Sequence, residues 1–484
     1  MKSISHSILI LLSCMICSSC IKIVNLYESN GEDEAPSPKG TEVISEPFYF
    51  YTFGDEVRNI STEITLHLKQ DINSQNISCQ IPPLKYNKSW LFMLTQDDCK
   101  HSAYSCTWAA INGKPLSYEY FYDCSQLSAG DIPPNIYYLK KTLASTDGTG
   151  KEVRFAFTTT ISPESAWMND KTTINKGYSK DYFRFFMKSG LVWGNLKEML
   201  NYGTGIAFHD VNTTNTNNVE TIIEHYKKAQ EITLTKLLGR GCKMLAEPNG
   251  NKTYVTAAQA YDPILTMTAQ IGATKLYPYK QTGDLSKVLL ERVFYTNPES
   301  IKDVVTSLLK RPKEDREALY VGVHGTDYTW VNFLSWLNDT CGQGGDDSVW
   351  FPSQEEYYEY VHYRTQGKIQ VTQTDKRTIK IKLDLPGGEY FYYPSVTLNI
   401  PEISKEQIDS VSTDKTITGM SYGNFEKGIM MNIDCRRNLV ELATRFSERY
   451  EKNKADASNK ADAQYFINML KDSDTKKELL KRLK

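Results

Sequence analysis

Of the ten cysteines in this 484-residue chain, three fall within the first twenty residues, and the other seven form no Cys-x-x-Cys pair. The seven are Cys79, Cys99, Cys106, Cys124, Cys242, Cys341 and Cys435. Their spacing excludes zinc-knuckle motifs, and their odd number leaves at least one free thiol unless a bridge joins two chains. Four of them lie between residues 79 and 124, where the spacing leaves room for a local disulfide of unreadable connectivity. An excess of charge is missing as well. The 56 Lys and Arg against 58 Asp and Glu give a formal net charge of -2, which disfavours nucleic acid as a partner. Past the first twenty residues no apolar run is long enough to cross a bilayer, and the mean hydropathy of -0.46 agrees. No internal repeat is visible.

What is present begins at the N-terminus. Lys2 precedes the apolar run Ile8-Leu9-Ile10-Leu11-Leu12, and Ser18-Ser19-Cys20 closes it with small residues before a cysteine. This is the pattern of a secretory signal, too short to span a membrane by itself, and its ending resembles the lipobox at which a lipoprotein signal peptide is cut. Residues 1-19 are therefore expected to be removed and Cys20 to be lipidated, giving an exported protein anchored in the bacterial cell envelope, periplasmic or surface-exposed. Residues 20-41 hold Gly31-Glu32-Asp33-Glu34, Pro36, Pro38 and Gly40, a composition suited to a flexible tether.

A chain of this length calls for more than one domain. Residues 42-84 read as a small N-terminal β module, with Ile64, Leu66 and Leu68 alternating with polar residues. Residues 85-365 alternate between strands and helices, the pattern of an α/β barrel or layered fold. The strand signals are Ser89 to Thr95, the alternation Val153-Phe155-Phe157, Gly205 to Phe208, and Ala318 to Val323; helices are expected over 195-202, stopped by Gly203, and over 219-238, stopped by Gly239. From Gly367 the pattern becomes period two, with Ile379, Ile381, Leu383 and Leu385 facing one way, which predicts an antiparallel β-sandwich over 366-436. Residues 437-484 read as a helical C-terminal segment with helices over 438-453 and 463-483.

Three polar groups directly follow apolar strands: Asp97-Asp98, His209 and His324. The C-terminal ends of parallel strands are where α/β barrels carry their reactive groups. His225 and His362 lack that position and are expected to be ordinary helix residues.

These residues also carry a family resemblance. Leu94-Thr95-Gln96-Asp97-Asp98 is similar to the Thr-aromatic-Asp-Asp motif of the polysaccharide deacetylases, the NodB-homology or carbohydrate esterase 4 family. Asn195 to Gly203 followed by Ile206 to His209 resembles the helix, turn and strand that precede the family's His-x3-His motif, and Val321-Gly322-Val323-His324 resembles its last, Leu-His-type motif. The resemblance covers about residues 88-364, and it implies a distorted (β/α) barrel of that type, flanked by the β modules and the C-terminal helices.

It further implies a metal-dependent hydrolysis of N- or O-acetyl groups. Asp97 would be the general base, His324 the general acid, Asp98 and His209 ligands of a divalent ion, zinc or another transition metal, with an acetylated polysaccharide or a peptidoglycan-like glycan as substrate. Two positions depart from the family. Thr213 stands where the second histidine ligand belongs, so Thr213, Asp210 or His101 would have to complete the metal site; Ala246 stands where an arginine orients the base. The alternative reading is a catalytically impaired relative that binds carbohydrate or envelope partners. A third is a purely structural lipoprotein.

Overall fold

The computed structural model of the protein describes residues 50-53, 58-72, 77-117, 136-169 and 190-484 together with the short strands Glu42–Ile44 and Thr173–Asn175. The expected signal peptide, tether and Cys20, and also Cys124, lie outside the described residues.

The centre of the molecule is a parallel barrel. Its strands, in chain order, are β1 (Trp90–Gln96), β2 (Thr158–Ile161), β3 (Gly205–Phe208), β4 (Met244–Ala246), β5 (Thr266–Ala269), β6 (Leu289–Glu291), β7 (Val293–Phe294), β8 (Leu319–Val323) and β9 (Val349–Trp350). Hydrogen-bonded neighbours run β6-β5-β4-β3-β2-β1-β8-β7, with β9 pairing to the start of β1. Only Arg292 separates β6 from β7. The chain therefore pairs with β5 before Arg292 and with β8 after it, which brings the sheet back on itself as a distorted barrel.

β1, β2, β3, β4, β5 and β8 are buried along their whole length, as expected for strands covered on both faces. The second barrel strand differs from the sequence expectation. The alternation Val153-Phe155-Phe157 belongs to a hairpin, Glu152–Arg154 against Ala144–Thr146, and to the residues leading out of it; the barrel strand is the following Thr158–Ile161. Alternation marks strands with one wet face, whereas a fully buried run of threonines carries no such signal. Helices Trp193–Asn201 and Val219–Lys236 form as expected, with Gly203 and Gly239 beyond their ends at φ of 91° and 95°.

Helix Gln354–Gln366 closes the lower end of the barrel. The Gln354 side chain donates to Thr266 Oγ1 at 2.7 Å and accepts from the Tyr320 hydroxyl, while its backbone N–H donates to Thr158 Oγ1 at 3.1 Å. One residue thus ties β5, β8 and β2 together. Beside it, fully buried Glu355 accepts from the Ile206 amide and from Arg240, and Lys243 bridges Glu355 and Glu359.

Below this plug lie two antiparallel sheets. One has the order Lys368–Asp375, Thr378–Leu385, Ile60–Leu68, Ile408–Thr413; the other has Ser395–Ile400, Gly428–Asp434, Gly419–Phe425. Residues of both, among them Leu66, Ile381, Leu398 and Met431, meet in one apolar core. The segment expected as a separate N-terminal β module therefore supplies Ile60–Leu68 as an inner strand of the C-terminal sheet, paired with Thr378–Leu385 from Thr378↔His67 to Leu385↔Ile60.

The C-terminal segment forms three helices, Leu439–Lys452, Ala457–Met469 and Asp474–Arg482. The expected helix over 463-483 is broken where the Ser473 side chain caps Lys476 N. These helices share the main apolar core with the barrel: Phe446 and Phe466 stack at 4.2 Å and both rings meet Tyr202. Asp462 sits within the contact, 2.5 Å from Lys114 Nζ, 2.7 Å from Arg154 and 2.7 Å from the Tyr202 hydroxyl. Cys79, Cys99, Cys106, Cys242, Cys341 and Cys435 are free thiols, so Cys79, Cys99 and Cys106 form no local disulfide with one another.

Candidate active site

Parallel strands deliver all their C-terminal ends to one rim. β1 ends at Gln96 and presents Asp97 and Asp98; β3 ends at Phe208 and presents His209; β4 presents Glu247; β8 ends at Val323 and presents His324. The Asp97 amide donates to the Val323 carbonyl at 2.8 Å, which holds the ends of β1 and β8 side by side. Asp98 and Cys99 both have positive φ, 62° and 50°, so the chain turns sharply here.

The structure brings Asp97, Asp98 and His209 together. His209 Nε2 lies 3.6 Å from Asp98 Oδ1 and 4.0 Å from Asp97 Oδ2. His209 Nδ1 is 2.8 Å from the Ala246 carbonyl, and since a carbonyl only accepts, Nδ1 carries the proton and Nε2 faces the two carboxylates. Burial works against a charged His209, yet the charge of Asp97, the contact with Asp98, the charge of Asp210 and the Ala246 carbonyl outweigh it and raise its pKa. The Asp98 carboxyl is held below its ordinary value, first by His209 and against partial burial, with Lys100 and His324 adding to the effect. Asp210 is exposed at the rim, its pKa raised by partial desolvation, against the pull of His209 and with the push of Asp98 and Asp97.

Arg292, which no sequence motif pointed to, completes the cluster. Its guanidinium is 2 % exposed and donates from NH1 to Asp97 Oδ1 at 2.7 Å and from NH2 to the Glu247 carbonyl at 3.1 Å. The expected loss of the base-orienting arginine is thus corrected by position. Ala246 offers only its carbonyl, to His209, while the arginine comes from the junction of β6 and β7. One cue was available: a lone cation inside Leu289-Leu290-Glu291-Arg292-Val293-Phe294 would be buried by its apolar neighbours, and a buried charge needs an anionic partner.

The remaining candidates sit differently. His324 is exposed and packs on Phe294, with ring centroids 5.0 Å apart. Thr213 lies half-buried in a local turn where its Oγ1 accepts from the Asn215 amide at 3.1 Å. His101 is buried with Nδ1 3.3 Å from Ser105 Oγ. His225 and His362 pair with Glu164 at 2.6 Å and Asp284 at 3.2 Å.

As a metal centre the cluster offers two protein ligands. The 3.6 Å between His209 Nε2 and Asp98 Oδ1 is close to the ~3.4 Å that separates two ligand atoms of a tetrahedral ion with bonds near 2.1 Å. An imidazole whose second nitrogen is tied to a backbone carbonyl is also how ligating histidines are oriented. Among the described residues no third His, Cys, Asp or Glu joins them in a group able to hold an ion.

No curated protein sequence matches the chain. A family model described as "putative polysaccharide deacetylase" matches residues 62–484, a span that includes the barrel, both antiparallel sheets and the C-terminal helices. Extending over most of the chain, that match identifies the protein as a member of the polysaccharide deacetylase family.

Proposed function

We propose that the protein hydrolyses N- or O-acetyl groups of an envelope or extracellular polysaccharide in a metal-dependent reaction at the barrel mouth. The observation that carries this reading is the joining of Asp97, Asp98, His209 and Arg292 in one cluster at the rim of the barrel. Asp98 and His209 would hold the ion, with the Thr213 hydroxyl or solvent at the remaining positions. When bound, such an ion supplies Lewis-acid polarisation of the acetyl carbonyl and brings the pKa of water toward ~7.

The chain's own groups supply the proton transfers. Asp97 takes the proton of the attacking water through Oδ2, because Arg292 engages Oδ1 and so fixes the direction in which the carboxylate presents its free oxygen. His324, exposed on the neighbouring strand end, donates a proton to the departing amine or alkoxide. His324 and Asp210 are both exposed at the rim, where a polymer can reach them.

Acetate release tests the reading directly, with N-acetylated chitooligosaccharides and O-acetylated xylooligosaccharides as substrates. Release is expected from at least one, lost on treatment with a chelator and restored by zinc or another divalent transition metal; no release from either class with metal supplied would refute it.

The sequence pattern at Ser18-Ser19-Cys20 supports a lipid anchor on Cys20 and hence action at the envelope. Mass spectrometry of the mature N-terminal peptide is expected to find acylated Cys20, and an unmodified Cys20 would remove the anchor from this account.

A further inference from the structure

We propose that Phe294 is a positioning residue for His324, holding the imidazole by contact between the two rings. The inference rests on the reading of His324 as the proton donor. Among the described residues no carboxylate lies within 4.0 Å of the His324 ring nitrogens, whereas His225 and His362 each have one and His209 has two. The His324 ring instead lies 5.0 Å from the ring of Phe294, inclined by 36°.

The local backbone is arranged to permit this contact. Phe294 pairs with Gly322 across the β7–β8 ladder, and a Cβ added at Gly322 would fall 2.4 Å from the Phe294 ring. Only a residue without a side chain leaves that space. The ring therefore lies over Gly322, and His324, two residues further along, projects from the same face of β8. Arg292, two residues before Phe294, places its guanidinium 5.0 Å from the centre of the same ring. Since Arg292 is itself locked onto Asp97 and the Glu247 carbonyl, one short strand links the base to the acid through Asp97, Arg292, Phe294 and His324.

The test compares full mature chains carrying Phe294→Leu, Phe294→Tyr, Gly322→Ala and His324→Ala. Acetate release is measured on whichever of the two oligosaccharide classes the wild type deacetylates, and histidine ring resonances are followed by NMR. Phe294→Leu is expected to lower kcat about 10-fold, part of the ~10²-fold typical of losing a general acid, with KM within about twofold. It should also shift the His324 ring signals, identified by their loss in His324→Ala. Phe294→Tyr should retain both, and Gly322→Ala should reproduce the leucine variant by displacing the ring. Wild-type kcat and unmoved His324 signals in Phe294→Leu, alongside a slow His324→Ala, would overturn the positioning role alone. Wild-type kcat in His324→Ala would overturn the proton-donor reading beneath it.

Discussion

Arg292 shows how a single side chain can set the chemistry of a rim. Its guanidinium is fully desolvated and divides its donors between a carboxylate and a backbone carbonyl, so the Asp97 carboxylate has one fixed orientation. Removing it leaves Asp97 buried without its cation and free to rotate. Arg292→Ala is expected to slow acetate release by ~10²-fold, the scale on which misplacement of a reacting group is felt, and Arg292→Lys should restore little, because an ammonium cannot hold both acceptors in one plane. Steady-state kinetics at matched metal content check this; wild-type kcat in the alanine variant would show that Asp97 needs no such hold. The placement of Asp97, Asp98, His209 and His324 at strand ends was legible because each follows an apolar strand. Arg292 was not, because it stands at the join of two very short strands and belongs to no motif.

At the level of elements, Asp462 couples the C-terminal helices to the segments that flank the barrel, through Lys114, Arg154 and Tyr202. Burial alone would raise the Asp462 pKa, but Lys114 and Arg154 together pull it down to about 2. A carboxylate whose pKa is lower folded than unfolded contributes stability above its ordinary value near ~3.9 and loses it as pH falls toward ~2. The urea midpoint of the wild type is therefore expected to fall as the pH is lowered from about 4 to about 2. Asp462→Asn should lose that contribution at neutral pH, destabilising by ~3–5 kcal/mol as buried Lys114 loses its carboxylate and Arg154 keeps only Glu152, and should show a flatter dependence over the acid range. An unchanged midpoint in the variant would mean that the helices dock through their aromatic contacts alone. The helices themselves were readable from apolar periodicity, except for the break before Ser473. Thr158–Ile161 was not readable, since a hydroxyl-rich strand buried on both faces has neither alternation nor an apolar run.

For the whole molecule, the order of segments along the chain is not their order in space. Ile60–Leu68 precedes the barrel in sequence but pairs with Thr378–Leu385 and Ile408–Thr413 beyond it, so the barrel is an insertion within an antiparallel layer. Period-two alternation identified Ile60–Leu68 and Thr378–Leu385, though not Ile408–Thr413, and it says nothing about which distant strand is the partner, since any strand with one apolar face satisfies it. The family match from residue 62 to the end fits this arrangement, because sheets, helices and barrel share two continuous cores. The plug at Gln354 and the Asp462 contact support the barrel at the end opposite the rim and at its side. Whether the rim cluster performs the proposed acetyl hydrolysis is decided by the rate of acetate release from Asp97→Asn, compared with wild type at equal metal occupancy. The account predicts a retained ion and a loss of ~10²–10⁴-fold, the range for an absent general base; an Asp97→Asn protein that releases acetate at the wild-type rate would contradict it.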